Sequence, residues 1–131
     1  MSNPSRPLSP HLSIYKWQIT MVLSILHRMT GVALYAGLGL LVFFLCVVGY
    51  APEYYAQLHE CLAGWVGQVF LAGWTFAFYF HFYNGLRHLV WDMGKGLDIP
   101  AATRSGWAVV ILAVLSSALS FWVAYHNMGV L

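Results

Sequence analysis

The sequence predicts an all-α membrane protein with three transmembrane helices, and three observations predict it. Hydrophobic residues make up 60% of the 131 and charged residues only 8%, against about 25% charged in soluble domains. A globule this small could not cover its surface with polar groups, whereas lipid tolerates such a surface. The few charges are also segregated. Arg28 is followed by an uncharged run from Met29 to Pro52, Glu60 by one from Cys61 to Leu86, and Arg104 by one that reaches Leu131. Each run exceeds the roughly 20 residues that cross the hydrocarbon core. Backbone amides in lipid must be paired within their own segment, so each run should be a helix. The prolines agree: Pro4, Pro7 and Pro10 precede the first run, Pro52 and Pro100 lie at or in the connections, and no proline interrupts a span.

The helices are expected over about 22–51, 61–89 and 104–127. Residues 1–20 form an N-terminal cytoplasmic arm and 21–131 the transmembrane domain. The basic residues orient them. Arg6, Lys16 and Arg28 precede or begin the first helix, and Arg87, Lys95 and Arg104 lie between the second and third. The first connection, with Glu53 and Glu60, has neither Lys nor Arg. All six basic residues fall on one side, which should be the cytoplasm, so the N-terminus is expected there. Tyr50, Tyr54, Tyr55 and Trp65 outside, with Trp17, Trp91 and Trp107 inside, suit interfacial aromatic belts.

Several classes are excluded. The N-terminus lacks the apolar core and small-residue cleavage site of a signal peptide. Cys46 and Cys61 match no zinc, c-type haem or iron–sulfur spacing. No glycine-rich loop follows a strand, so no flavin or nucleotide fold is encoded. Gly37 and Gly39 are read as close helix contacts. A net charge of +2 implies no nucleic-acid partner. The chain is a poor candidate for a complete enzyme.

What remains is histidine and arginine in unusual places. An ionisable group inside a span is by default a functional hypothesis. His81 lies inside the second uncharged run, about five residues before Arg87, hence roughly 7–9 Å below the charged boundary. It could bond a neighbouring helix or ligate a metal. His88 is seven residues on, two turns along the same face, with Gly85 between them where a flat macrocycle could approach. A neutral imidazole is an axial ligand for haem iron, and Arg87 and His88 at the water boundary could pair with propionates. For Arg87 alone a snorkelling interfacial cation is the plainer reading. A low-spin haem needs a second ligand. His27 is expected to be too shallow, and His126, His59 and His11 lie elsewhere, so another chain should supply it.

A second constellation opens the first helix. Ser24 and Arg28 are four apart and share a face, which Trp17 and Met21 continue. A hydroxyl, a cation and apolar walls could hold a quinone head group, the cation stabilising charge that develops on reduction. From spacing alone, a helix start with a boundary arginine is the plainer reading.

Three blocks then stand out: Arg6-Pro-Leu-Ser-Pro-His-Leu-Ser-Ile-Tyr15; Ser24-Ile-Leu-His-Arg28 with Thr30-Gly31; and His81-Phe-Tyr-Asn-Gly-Leu-Arg-His88-Leu-Val-Trp-Asp92. With them the whole chain resembles the cytochrome b556 subunits of succinate dehydrogenase, closer to the alphaproteobacterial and mitochondrial branch. The resemblance implies a haem b-binding anchor in the bacterial inner membrane. His81 would be the axial iron ligand, with His27, Arg28 and His88 near the propionates. Ser24 and Arg28 would bind ubiquinone, with Trp17, Met21 and Ile25 lining that site. It also implies a second membrane anchor that completes the bundle and gives the other haem ligand, an iron–sulfur subunit and a flavoprotein. A fumarate reductase-type anchor and a haem-free structural membrane protein are the alternatives.

Overall fold

The computed structural model describes residue 14 and residues 16–129. The elements run in order α1 (Ile19–Tyr50), a 3-10 turn (Pro52–Tyr54), α2 (Tyr55–Ala63), α3 (Trp65–Asp92) and α4 (Ile99–Asn127). The first sequence block, apart from Ile14, and with it Arg6 and His11, lies outside the described residues.

The three long helices differ in what their sequences can do alone. α1 has 32 residues and α4 has 29, about 48 and 43 Å long at 1.5 Å per residue. Both are apolar enough to cross a membrane, with mean hydropathy 2.5 and 2.1. α3 has 28 residues, about 42 Å, and meets that standard only together with the segment Pro52–Ala63 before it. The two parts meet at a bend of 78°. The second helix was expected to start at about 61, but Cys61–Ala63 belong to α2. Gly64 separates the segments, with φ −64° and ψ 159°. A Cβ on Gly67 would come within 2.5 Å of the carbonyl oxygens of Cys61 and Leu62. The corner therefore needs a glycine at 67, and Gln68 locks it by donating to the Leu62 carbonyl at 3.0 Å. An apolar run does not reveal such a break, because glycine hardly alters hydropathy.

Three other ends lie outside the expected bounds, whereas α4 ends at Asn127 as expected and α1 ends at Tyr50, one residue short. α1 begins at Ile19 and α4 at Ile99, where Asp98 caps the helix by accepting from the Ala101 amide at 3.0 Å. Pro100 sits in the first turn, where its missing N–H costs nothing. α3 continues to Asp92 and closes on a Schellman turn. There the Gly94 amide donates to the Trp91 carbonyl (2.8 Å) and Lys95 to that of Val90 (3.3 Å), with Gly94 at φ +73°.

α3 is the middle of the bundle and packs on both α1 and α4. The core is small: Leu23 from α1, Phe80 from α3, and Val109 and Ala113 from α4. Close approach rests on small residues, as in membrane bundles. A Cβ on Gly106 would lie 2.7 Å from Leu23 Cδ1. One on Gly37 would overlap the Trp74 indole, while Gly39 faces open space and makes no such contact. Most apolar side chains point outward; Val32, Tyr35 and Trp65 are each more than two-thirds exposed.

Candidate functional site

The start of α1, the end of α3 and the start of α4 share one end of the bundle. Three imidazoles meet there. The His27 ring stacks on His81, with centroids 4.0 Å apart and planes at 12°. Its distance to His88 is 5.2 Å, with planes tilted by 36°. His27 was expected to lie too shallow for this. That depth was counted from Arg28 and Arg87 as if both marked the water boundary, whereas α3 runs on to Asp92 and Arg87 is inside the bundle. The two rings are stacked face to face, with no room for a macrocycle between them.

His81 is oriented by α1. Its Nδ1 lies 3.1 Å from the His27 carbonyl oxygen and 3.3 Å from Thr30 Oγ1. The Thr30 hydroxyl commits its proton to the carbonyls of Leu26 and His27, at 2.8 and 2.9 Å. Both neighbours of Nδ1 are therefore acceptors, and Nδ1 must carry the hydrogen. The lone pair is left on Nε2, which makes no hydrogen bond among the described residues. A metal-ligating histidine usually has its other ring N–H held in this way by a carbonyl. Gly31 makes room for the ring, since a Cβ there would come within 3.0 Å of His81 Cε1. Gly85, between His81 and His88, opens on free space. His27 Nδ1 is buried without a partner. A haem fits these donors: one oriented imidazole, an open glycine face and further imidazoles beside it.

Arg87 departs from both sequence readings. It is 6% exposed. Its Nε donates to Ser105 Oγ (3.0 Å), Nη1 to Asn84 Oδ1 (3.2 Å) and Nη2 to the Ala102 carbonyl (2.8 Å). These bonds tie α3 to α4, so the side chain neither snorkels nor reaches out as a propionate partner. No salt bridge neutralises it among the described residues.

Beside the imidazoles lies a cavity of about 390 Å³ lined by Thr20, Met21, Ser24, Ile25, Arg28 and Trp91. Four of the five residues assigned to a quinone site from the sequence come together here; Trp17 is 66% exposed and is not in the lining. Ser24 and Arg28 make no hydrogen bond to a described residue, so a hydroxyl and a cation remain available. Trp91 was read as part of the interfacial belt and missed as a site residue. Its signal is the spacing Arg87–Trp91, one helical turn, which folds the indole back over the guanidinium at 4.0 Å.

Apolar helices long enough to cross a membrane, an oriented imidazole cluster and a mostly apolar cavity that carries one cation and two hydroxyls define a class: a helical membrane protein with a candidate binding site at one end. Residues 2–120 match the family of succinate dehydrogenase/fumarate reductase transmembrane subunits, and the chain belongs to that family. It is 43% identical to the succinate dehydrogenase cytochrome b556 subunit of Rickettsia felis, over 90% of this chain and 91% of that one. It is 44% identical to the mitochondrial succinate dehydrogenase cytochrome b560 subunit of Sus scrofa, over 86% of this chain and 68% of that one. The human b560 subunit is 43% identical over the same shares.

Proposed function

We propose that this chain is the haem b-bearing membrane anchor of a succinate dehydrogenase and forms part of its ubiquinone-reduction site. The observation that carries this is the placement of His81 Nδ1 against the His27 carbonyl and Thr30 Oγ1, which leaves Nε2 as the nitrogen for iron. His27 is stacked on the His81 ring rather than standing opposite its Nε2, so the other haem ligand would come from another chain, the second anchor subunit. Bound haem would supply one-electron redox chemistry at that end of the bundle. This chain's own part is to orient His81, to offer His27 and His88 beside it, and to place Arg28 as a cation near the propionates and the quinone.

The cavity explains the remaining residues. Ser24 can donate to a quinone carbonyl and Arg28 can stabilise negative charge on a ring oxygen. Met21 and Ile25 give apolar walls, and Trp17 lies near the mouth. An iron–sulfur subunit docked at this end, itself carried on a flavoprotein, would bring electrons from succinate. Arg28, Arg87, Lys95 and Arg104 all sit at or just beyond this end, which supports three spans with the N-terminus in the cytoplasm of a bacterial inner membrane. The membrane domain then begins with α1 at Ile19, and α2 lies along the outer surface; most of the arm expected over 1–20 lies outside the described residues.

Ser24→Ala and Arg28→Leu test the site in the whole complex. We expect a loss of quinone reduction of about tenfold or more for Arg28→Leu, and less for Ser24→Ala, while electron flow from succinate to an artificial acceptor persists. Equal loss of both activities in each variant would refute a quinone role. The family also includes fumarate reductase anchors. A low haem potential with bound menaquinone would favour that reading.

A further inference from the structure

Arg87 is a buried cation whose charge no neighbour cancels. The three groups that accept from it, Ser105 Oγ, Asn84 Oδ1 and the Ala102 carbonyl, are all neutral. The Trp91 indole beside the guanidinium carries no charge either. α4 closes over the side chain so tightly that a Cβ on Gly106 would lie 3.7 Å from Nη2. No acid forms an ion pair with it among the described residues; Asp98 accepts instead from the Ala101 amide. Buried charges are ordinarily paired, because leaving one unpaired is costly.

The position that could cancel this charge is already in contact with it. Asn84 is fully buried, accepts from Arg87 Nη1 at 3.2 Å and leaves its Nδ2 without a partner among the described residues. An aspartate has the same size and would accept the same bond. It would also pair with the guanidinium and bring no donor that needs a partner. For stability alone, aspartate is the better residue at 84. Polar choices that cost stability collect at functional sites. Asn84 follows His81 by three residues and Arg87 follows it by six, about 4.5 and 9 Å of helical rise.

From this geometry we infer that Asn84 and Arg87 together keep an uncancelled positive charge beside the His81 site, and that this charge raises the reduction potential of the haem held there. The inference rests on reading His81 as the iron ligand. A reduced haem carries one positive charge fewer than an oxidised one, so a fixed cation nearby favours the reduced form. Burial preserves the effect, because neither water nor salt reaches the guanidinium to screen it. At a range of about 10 Å and an effective dielectric of about 20, one unit charge changes a one-electron equilibrium by about tenfold.

The test is a potentiometric titration of the haem in the purified whole complex, followed by its absorbance. Asn84→Asp supplies the missing counter-charge with little change of shape. It should lower the equilibrium constant for haem reduction by about tenfold, which is about 59 mV for one electron. Arg87→Gln removes the charge itself and should lower the constant by a similar factor. Ser105→Ala removes a bond to the same guanidinium but leaves its charge, and should change the constant by less than about twofold. If either charge variant fails to assemble, the other decides. An unchanged potential in a charge variant that retains its haem overturns the inference and leaves the reading of His81 standing. A shift in Ser105→Ala as large as in Asn84→Asp also overturns it, because geometry rather than charge would then set the potential. A complex with no haem at all would remove the reading of His81 and this inference with it.

Discussion

The two faces of α3 handle polar groups in opposite ways. Toward α4, Tyr79, Tyr83 and Arg87 follow one another at helical spacing and each finds a partner. Tyr79 meets Ser120 at 2.8 Å and Tyr83 meets Ser116 at 2.8 Å. Ser120 already donates to the Ser116 carbonyl at 2.9 Å, so Tyr79 is the donor to it. Tyr125, which donates to Gln68 at 2.6 Å, extends this pairing toward the far end. Toward α1, the pattern reverses. His81 keeps a free Nε2, while His27 Nδ1 and Trp74 Nε1 are buried without partners, and Arg28 has no hydrogen-bond partner among the described residues. In lipid an unpaired polar group has no water to turn to. The paired face holds α3 to α4, although Asn84 Nδ2, beside Arg87, is also buried without a partner among the described residues, and the α1 face keeps the groups that the proposed site would use.

That contrast can be broken from either side. The largest effect is expected at Arg87, the one charged member of the paired face. Arg87→Met removes three charge-assisted hydrogen bonds and should destabilise the bundle by about 3 kcal/mol, seen as a clearly lower melting temperature of the purified complex. On the other face, Thr30→Val removes one of the two acceptors that orient His81. It should leave the fold intact and weaken haem retention by about tenfold, measured as haem loss to a competing apoprotein. The smallest effect is expected for Tyr79→Phe, about 0.6 kcal/mol as for a typical hydrogen bond within a membrane bundle, with haem retention unchanged. A Tyr79→Phe variant that lost haem while Thr30→Val did not would reverse the roles of the two faces.

Much of this was legible in the sequence, because lipid imposes simple rules. Three uncharged runs mark the three long helices, and a histidine inside one of them, His81, marks the candidate site. Ser24, Arg28 and Met21 fall on one face by spacing alone, whereas Ile25 came only with the family resemblance. What could not be read was where charge meets burial. Arg87 looks like a boundary residue until Ser105, Asn84 and the Ala102 carbonyl, two of them contributed by α4, are seen to absorb its donors. The same error in depth hid the contact of His27 with His81. Trp91 passed for a belt residue because its fold-back onto Arg87 depends on the turn through Gly94 and Gly96. The break at Gly64 was invisible because hydropathy registers polarity and not backbone direction.

The most direct test is the reduced-minus-oxidised spectrum of the membrane complex, purified with and without His81→Leu. A b-type haem signal in the unmodified complex, absent from the variant although its helical content and partner subunits are retained, is the predicted result. A colourless unmodified complex, or a signal of equal size and shape in His81→Leu, would contradict the assignment of His81 as the iron ligand.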